Sequence, residues 1–209
     1  MSSGFVSNMK TQHTKAEYTL TKNEVQEIIN AAKNFRDRVL IKTLYYCGMR
    51  VSEAIHLKPS HIEFERKRIN VLFGKGGKTR TIPVLSPEHL SDLKHLMKKD
   101  DNLFFPVKRR QVQNICYTSA QICGVKHPDP LSKHVNPHLF RHCIARHLKD
   151  SGYPLEFIQK FLGHSSMKTT SDVYGTLSIN DMHRIIATKT GDRNVLPGVQ
   201  EINQIENSL

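Results

Sequence analysis

The sequence predicts a mostly helical α+β domain with one small antiparallel β-sheet. Apolar residues recur at helical spacing through most of the chain, which is the pattern of amphipathic helices. Between residues 62 and 84 the period changes, and apolar residues alternate with charged ones as they do in strands. A chain of 209 residues with 38% hydrophobic residues can build one good-sized core, and two large domains are not expected.

The N-terminal third is predicted to contain a polar stretch and three helices. Residues 1–16 lack periodicity, which predicts a linker or a frayed arm. Thr21, with Glu24 three residues later, makes a capping box at the start of the first helix. A glycine ends a second helix at about 36–47, and a proline closely follows a third at about 51–57.

A small sheet is expected after these helices. Alternation over 62–73 and again over 80–84 predicts antiparallel strands on either side of a glycine-rich turn at 74–78. Beyond the sheet the pattern is helical again. The folded domain is therefore expected to span 17–190, followed by a tail over 191–209. Its remaining helices are predicted at about 87–98, 109–123, 137–151, 154–161, 166–174 and 178–188.

The chain is strongly basic. Its formal net charge is +12 at pH 7 and its pI is about 9.6, so its surface should attract a polyanion, with nucleic acid as the leading candidate. A basic protein without a specific partner is the alternative at this point. The sequence has no run of about 18 apolar residues and no signal-peptide core, which predicts a cytoplasmic protein without a membrane partner. Four cysteines without a CxxC pair are expected to be reduced, buried thiols: Cys47, Cys116, Cys123 and Cys143.

Side chains suited to phosphodiester chemistry lie close together in the C-terminal half. His138, Arg141 and His142 fall within five positions, and Tyr174 follows His164 by ten. A guanidinium can bind phosphate oxygens while a tyrosine attacks and a histidine moves protons, without a metal or a nucleotide. A basic chain with these residues is expected to cut and rejoin DNA.

A metal site is the competing interpretation of these histidines. His138 and His142 stand at i, i+4, with Cys143 and His147 nearby. The sequence has no HExxH motif and no CxxC pair, and Arg141 between the histidines would repel a cation. We therefore expect no metal and no other cofactor.

Five short motifs follow one another along the chain. They are LYYCGMRVSEAIHL at 44–57, GKGGKTR at 74–80, HLFRH at 138–142, LGH at 162–164, and Tyr174. In this order they resemble the first arginine box, the lysine hairpin, the HxxR box, the LGH box and the nucleophile of the tyrosine recombinases, the group of phage integrases and Xer recombinases. Any one motif alone would be weak, whereas the ordered set is highly specific.

The resemblance runs from about Tyr18 to about Leu177 and implies both a fold and a reaction. The fold would be the family's catalytic domain, without the N-terminal helical domain that usually wraps the other side of the DNA. The reaction would be site-specific recombination, in which DNA strands are cleaved and rejoined through a covalent 3′-phosphotyrosine without metal or ATP. Two alternatives stay open: a type IB topoisomerase-like enzyme that never exchanges strands, and a DNA-binding module with silent catalytic residues.

The resemblance also assigns roles to individual side chains. Arg50 and Arg141 would clamp the phosphate, because guanidiniums bind its oxygens bidentately and stay ionised. Tyr174 would be the nucleophile, and its phenol needs neighbouring cations or a base to lose its proton. Lys75, after the first glycine of the hairpin, would protonate the leaving 5′ oxygen, with Lys78 as the near rival.

Histidines and a carboxylate would complete the site. His138 would be the base or proton relay for the nucleophile, and His164 would donate a hydrogen bond to a phosphate oxygen. The alternative is that both are structural histidines. Glu53, one helical turn from Arg50, would orient Arg50 or a histidine, and His142 would support the same cluster or help to close the core.

DNA contacts are expected from basic and amide side chains near the hairpin and on the helix predicted at 109–123. These side chains are Lys78, Arg80, Arg109, Arg110, Gln111, Gln113 and Asn114.

The tail carries Val199, Ile202 and Ile205 at roughly helical spacing. The family commonly docks this element into a neighbouring subunit, so the resemblance implies a homo-tetramer on two double-stranded DNA sites. Docking in cis and docking in trans are both open, and a monomer in the absence of DNA is compatible with either.

Overall fold

The computed structural model describes residues 18–72, 79–97, 102–163 and 179–190. This part of the chain is mostly helical, with one three-stranded antiparallel sheet in the order β1-β2-β3, and it confirms the predicted α+β class. The elements in chain order are α1 (Lys22–Asn30), α2 (Phe35–Tyr46), α3 (Val51–Ala54), β1 (Ile62–Glu63), β2 (Arg68–Val71), β3 (Arg80–Pro83), α4 (Pro87–Leu96), α5 (Arg109–Ile122), α6 (Pro137–Asp150), α7 (Leu155–Leu162) and α8 (Ile179–Thr190).

Helix α2 lies at the centre of the helical part. It is buried along most of its length and packs against α1, α4 and α6. Asn34 caps its N-terminus, where the Asn34 side chain accepts a hydrogen bond from the backbone N–H of Asp37 at 2.9 Å. At the other end the chain turns at Gly48, whose φ of +54° most other residues adopt only with strain. This turn leads the chain directly to Arg50.

Helix α3 and the strands are shorter than the sequence pattern predicts. α3 ends at Ala54 because the backbone N–H of Leu57 bonds the Ala54 carbonyl in a tighter turn. β1 ends before Phe64, where the chain turns and the N–H of Lys67 donates to the Phe64 carbonyl at 3.2 Å. The paired strands nevertheless bury one apolar row, in which Ile69 of β2 stands opposite its partners on both sides.

Helices α5 to α8 follow the predicted bounds to within two residues. α7 packs against both α6 and β3, so its end lies where the helices meet the sheet. α8 also packs against β3 and buries Met182 and Ile186. The predicted arm 1–16, helix 166–174 and tail 191–209 lie outside the described residues, and the predicted domain limits therefore stay predictions.

Two further sequence predictions concern the membrane and the thiols. Among the described helices, none is both long and apolar enough to cross a bilayer. All four cysteines are free thiols; Cys47, Cys116 and Cys143 are buried as predicted, whereas Cys123 is half-buried.

Candidate active site

Arginines and a histidine from separate parts of the chain line one cleft. Arg50 immediately precedes α3, and His138 and Arg141 lie on the first two turns of α6. Arg109 and Gln113 of α5 also line the cleft. The cleft has a volume of about 320 Å³, and none of its described lining residues is acidic. Such a surface favours an anion, and a phosphate would fit its chemistry.

Arg50 is oriented by Glu53. Oε2 of Glu53 accepts a hydrogen bond from the Arg50 backbone N–H at 2.8 Å, and Oε1 accepts one from Arg50 Nη1 at 3.0 Å. The carboxylate is fully buried, while the Arg50 side chain is 32% exposed and lines the cleft. Glu53 therefore fixes one edge of the guanidinium and leaves part of it facing the cleft.

Arg141 is a buried cation that joins the turn at Gly48 to the end of α7. Its Nη1 donates to the carbonyl of Gly48, and its Nη2 donates to the carbonyl of Leu162. Burial, followed by the neighbouring guanidiniums of Arg50 and Arg80, lowers the pKa of Arg141 to about 10. The side chain remains ionised at neutral pH, so it supplies a poorly hydrated positive charge beside the cleft.

Arg80 has contacts that differ from the predicted DNA contact. Its Nη1 and Nη2 donate to the two oxygens of Glu53 at 2.9 and 3.0 Å, and its Nε donates to the Phe161 carbonyl at 3.0 Å. With a side chain only 10% exposed, it is committed to internal partners. The DNA contact predicted for Arg80 stays a prediction, and the sequence shows the proximity of Arg80 to the hairpin lysines but gives no sign of its pairing with Glu53.

Glu53 is kept ionised by these partners. Burial by itself would raise the pKa of Glu53, but the hydrogen bonds and charge of Arg80, followed by the bonds from Arg50, lower it below its usual range. A buried carboxylate with two guanidinium partners is stable only while both partners are in place.

His138 is positioned by the cap of α6. Oδ1 of Asn136 accepts hydrogen bonds from the backbone N–H groups of His138 and Leu139 at 3.0 and 3.2 Å. Partial desolvation, followed by the charge of Arg141, lowers the pKa of His138. The imidazole is therefore neutral at pH 7 and able to accept a proton. His142, one turn further along the same helix, is half-buried.

Comparison with known proteins assigns the chain to a family. The family model described as the phage integrase family matches residues 18–180. The chain belongs to the phage integrase family. This integrase-family chain is similar to the tyrosine recombinase XerA of Pyrococcus horikoshii, with 33% identity over 155 residues that cover 73% of the chain and 54% of the relative. It is also similar to XerA of Pyrococcus furiosus, with 31% identity over 197 residues that cover 91% of the chain and 64% of the relative.

Solved structures agree with this assignment. A crystal structure of XerA recombinase superposes with a TM-score of 0.60 and 28% identity, covering 84% of this chain and 65% of that one. The site-specific recombinase XerH bound to its difH substrate gives a TM-score of 0.59 at 22% identity, covering 78% and 52% of the two chains, and shows the shared fold. The integrase-family chain thus spans between one half and two thirds of the length of these relatives.

The structure brings together only some of the predicted site residues. Of the DNA-contact candidates on α5, Arg109 and Gln113 line the cleft, whereas Arg110, Gln111 and Asn114 are exposed outside it. The side chain of Gln111 also accepts a hydrogen bond from the backbone N–H at the start of α5, at 2.7 Å, and so contributes to the helix cap. The remaining predicted site residues lie outside the described part of the chain: Lys75, Lys78, His164 and Tyr174.

The histidines of α6 do not assemble a metal site within the described residues, where no group of three potential ligands occurs. His147 instead contacts Tyr45 and the Leu20 carbonyl, and Cys143 accepts a hydrogen bond from the Leu20 N–H at 3.3 Å. These two side chains face the core contact between α2, α6 and the start of α1. His138, by contrast, lines the cleft.

Proposed function

We propose that this protein is a site-specific DNA recombinase that cleaves and rejoins DNA through a covalent 3′-phosphotyrosine on Tyr174. The observation that carries the proposal is the convergence of Arg50, Arg141 and the neutral His138 in one cleft. Membership of the phage integrase family supports it. The substrate would be double-stranded DNA; the similarly folded site-specific recombinase XerH is bound to its difH substrate.

The two arginines would stabilise the phosphate as its charge grows during attack. Arg141 has five N–H donors, and its two bonds to backbone carbonyls leave others for the non-bridging oxygens. Arg50 would supply the edge of its guanidinium that Glu53 does not occupy. Because both cations are set in place before the substrate arrives, little reorganisation is needed in the transition state.

The proton transfers would be divided between His138 and the lysine hairpin. When the phenol oxygen of Tyr174 attacks phosphorus, His138 takes the phenol proton. The bond from phosphorus to the 5′ oxygen breaks, and Lys75, or Lys78 as its alternative, protonates that oxygen. His164 would donate a hydrogen bond to a non-bridging oxygen. Reversal with a different 5′ hydroxyl would rejoin the strands and release the tyrosine.

Strand exchange needs two DNA sites, so we propose that four copies of the chain assemble on them. The tail 191–209 would link neighbouring copies. Integration, excision, inversion and resolution would all use this one reaction.

Covalent trapping tests the proposal. Bound sequences are first enriched from a random duplex library, and a nicked version of the best site is then incubated with the protein in EDTA. We expect an adduct that resists denaturation, maps to Tyr174 and is lost in Tyr174→Phe. No adduct on a site that is demonstrably bound would reject the proposal in favour of a DNA-binding module. An adduct and relaxation of plasmids without any recombinant product would indicate topoisomerase-like activity.

A further inference from the structure

We infer that Arg80 is a positioning residue for the reaction: by sharing the Glu53 carboxylate with Arg50, it keeps the guanidinium of Arg50 available to the substrate phosphate. The inference rests on the proposed function of the cleft. Arg80, Glu53 and Arg50 are called the shared-carboxylate cluster below.

Glu53 is saturated with hydrogen bonds within this cluster. Its Oε1 accepts from Arg50 Nη1 at 3.0 Å and from Arg80 Nη1 at 2.9 Å. Its Oε2 accepts from the Arg50 backbone N–H at 2.8 Å and from Arg80 Nη2 at 3.0 Å. Each oxygen thus receives one bond from each arginine, which fills the about four acceptor positions of a carboxylate.

Arg80 binds the Glu53 carboxylate bidentately, whereas the Arg50 side chain makes a single hydrogen bond to it. Arg80 presents a forked edge to the carboxylate and is 10% exposed, whereas Arg50 uses only Nη1 and is 32% exposed. Without Arg80, two acceptor positions on a buried carboxylate would open. The remaining N–H donors of Arg50 are on the same guanidinium and would turn towards them, because an unpaired buried charge is costly. Arg50 would then be withdrawn from the cleft.

A second set of contacts ties Arg80 to the end of α7. Its Nε donates to the Phe161 carbonyl at 3.0 Å, and its side chain lies against Gly163, where an added Cβ would stand 2.7 Å from Arg80 Cδ. Gly163 directly precedes His164 in the sequence, and Arg80 begins β3, which follows the lysine hairpin. One side chain therefore connects the first arginine box, the strand after the hairpin and the LGH box.

The competing explanation is that Arg80 and Glu53 form an ion pair that serves stability alone. A double variant that removes both charges distinguishes this explanation from the positioning role. Arg80→Gln leaves the Glu53 carboxylate with too few hydrogen-bond donors, so the Arg50 guanidinium should turn towards Glu53 and away from the cleft. Arg80→Gln combined with Glu53→Gln removes the buried charge as well, so Arg50 is released. If the pair served stability alone, removing both partners would restore folding but would have no specific effect on the cleavage step.

The experiment measures single-turnover adduct formation at saturating nicked DNA, DNA affinity by fluorescence anisotropy, and thermal melting. For Arg80→Gln we expect cleavage slower by about ten- to a hundredfold, with a dissociation constant within about threefold of the wild-type value, because binding rests on many other phosphate contacts. The double variant should cleave at least about fivefold faster than Arg80→Gln. Arg80→Lys, which keeps the charge but lacks the fork, should fall between Arg80→Gln and the wild type.

Lys42→Gln is the matched control. Lys42 is also a buried cation with two carboxylate partners, Glu88 and Asp92, but it joins α2 to α4 outside the lining of the cleft. We expect it to lower the melting temperature and leave the cleavage rate unchanged below that temperature. Cleavage by Arg80→Gln within about twofold of wild type, or a double variant no faster than Arg80→Gln, would overturn the inference.

A titration that needs no DNA separates this inference from the proposed function. The carboxyl carbon of Glu53 is followed by NMR, with Glu53→Gln used for assignment. The pKa of Glu53 should rise in Arg80→Gln, because the largest favourable partner is gone. An unchanged pKa would reject the cluster even if the protein cleaves DNA. A raised pKa of Glu53 in Arg80→Gln, together with a wild-type protein that forms no adduct, would uphold the shared carboxylate and reject the proposed function.

Discussion

Nη1 of Arg141 donates a hydrogen bond to the backbone carbonyl of Gly48, two residues before Arg50. The same guanidinium bonds Leu162 at the end of α7, so a single buried side chain fixes the distance between two parts of the site. We predict that Arg141→Lys lowers both cleavage and stability, because one ammonium cannot serve two carbonyls and a phosphate in the same geometry. The cleavage rate should fall by about a hundredfold.

Arg50→Lys is the comparison for that prediction. Arg50 is partly exposed and its one side-chain hydrogen bond goes to Glu53, with which a lysine ammonium can still pair, so Arg50→Lys should reduce cleavage while the melting temperature falls less than in Arg141→Lys. Trapped-adduct assays and thermal melts on the two variants provide the test. Equal melting temperatures for Arg141→Lys and the wild type would contradict the structural half of the prediction.

We predict that Tyr45→Phe destabilises the contact between α2 and α6. The hydroxyl oxygen of Tyr45 lies 2.7 Å from Nδ1 of His147, and Nε2 of His147 lies 2.9 Å from the carbonyl oxygen of Leu20. Burial lowers the pKa of His147, so the ring is neutral and carries one N–H. Nε2–H donates a hydrogen bond to the Leu20 carbonyl, and Nδ1 accepts one from the Tyr45 hydroxyl. Removing the hydroxyl leaves a buried acceptor unpaired, at a cost of about 1–3 kcal/mol. Urea denaturation measures the loss, and a change below about 0.5 kcal/mol would contradict it.

The elements of the fold could be predicted well because their cause is local. Helix ends follow from caps such as Thr21 with Glu24, which forms the capping box expected from the sequence. The strand limits were less accessible, since Phe64 continues the alternation but falls in the turn that pairing with β2 imposes. The alternation of apolar residues predicts which residues share a face of the sheet. The end of a paired strand depends on the neighbouring strand, so the sequence pattern does not predict it.

The sequence was sufficient to select residues of the site, but it did not show which of their side chains pair with one another. Arg50, His138 and Arg141 could be selected from their motifs, and the structure places all three at one cleft. The pairing of Arg80 with Glu53, 27 positions away, cannot be predicted from sequence spacing, because it depends on the tertiary fold that brings the start of β3 near Glu53 of α3. The nearby lysines favoured a DNA contact for Arg80 because of their proximity in the sequence, which carries no information about the buried partners of Arg80.

Stability should depend on pH through His89. The ring is buried, with Nε2 2.9 Å from Thr43 Oγ1, and burial followed by the charge of Lys42 lowers its pKa to about 3. The unfolded chain binds this proton below a pKa of about 6.5, and the folded protein does not. The contribution of neutral His89 is therefore complete above pH 6.5 and decreases as the pH falls towards 3, by at most about 1.4 kcal/mol per pH unit.

His89→Gln isolates this contribution, because glutamine can still donate to Thr43 but does not titrate. Urea denaturation of both proteins between about pH 4.5 and 7.5 gives the difference in unfolding free energy. Other histidines contribute equally to the two proteins and cancel in that difference. We expect the wild type to lose stability faster than His89→Gln as the pH falls, and parallel curves would show that His89 is protonated in the folded state.

Gly163→Ala should disturb the candidate site beyond its cost to the backbone. Gly163 ends α7 with φ of +65°, and a Cβ there would stand 2.7 Å from Cδ and 3.2 Å from Nε of Arg80. The Arg80 side chain would have to move, which weakens its bonds to Phe161 and Glu53.

Gly124→Ala is the matched control, because Gly124 has φ of +75° and a Cβ there would meet no described atom within 4 Å. Both variants incur the left-handed backbone strain of about 1 kcal/mol, so the difference between them removes this shared strain and includes the displacement of Arg80. We expect Gly163→Ala to melt at a lower temperature than Gly124→Ala and to form adduct about tenfold more slowly, and Gly124→Ala to cleave like the wild type. If the two variants matched in both melting and cleavage, the contact between Gly163 and Arg80 would be of no consequence, and the loss in Arg80→Gln would have to arise at Glu53 alone.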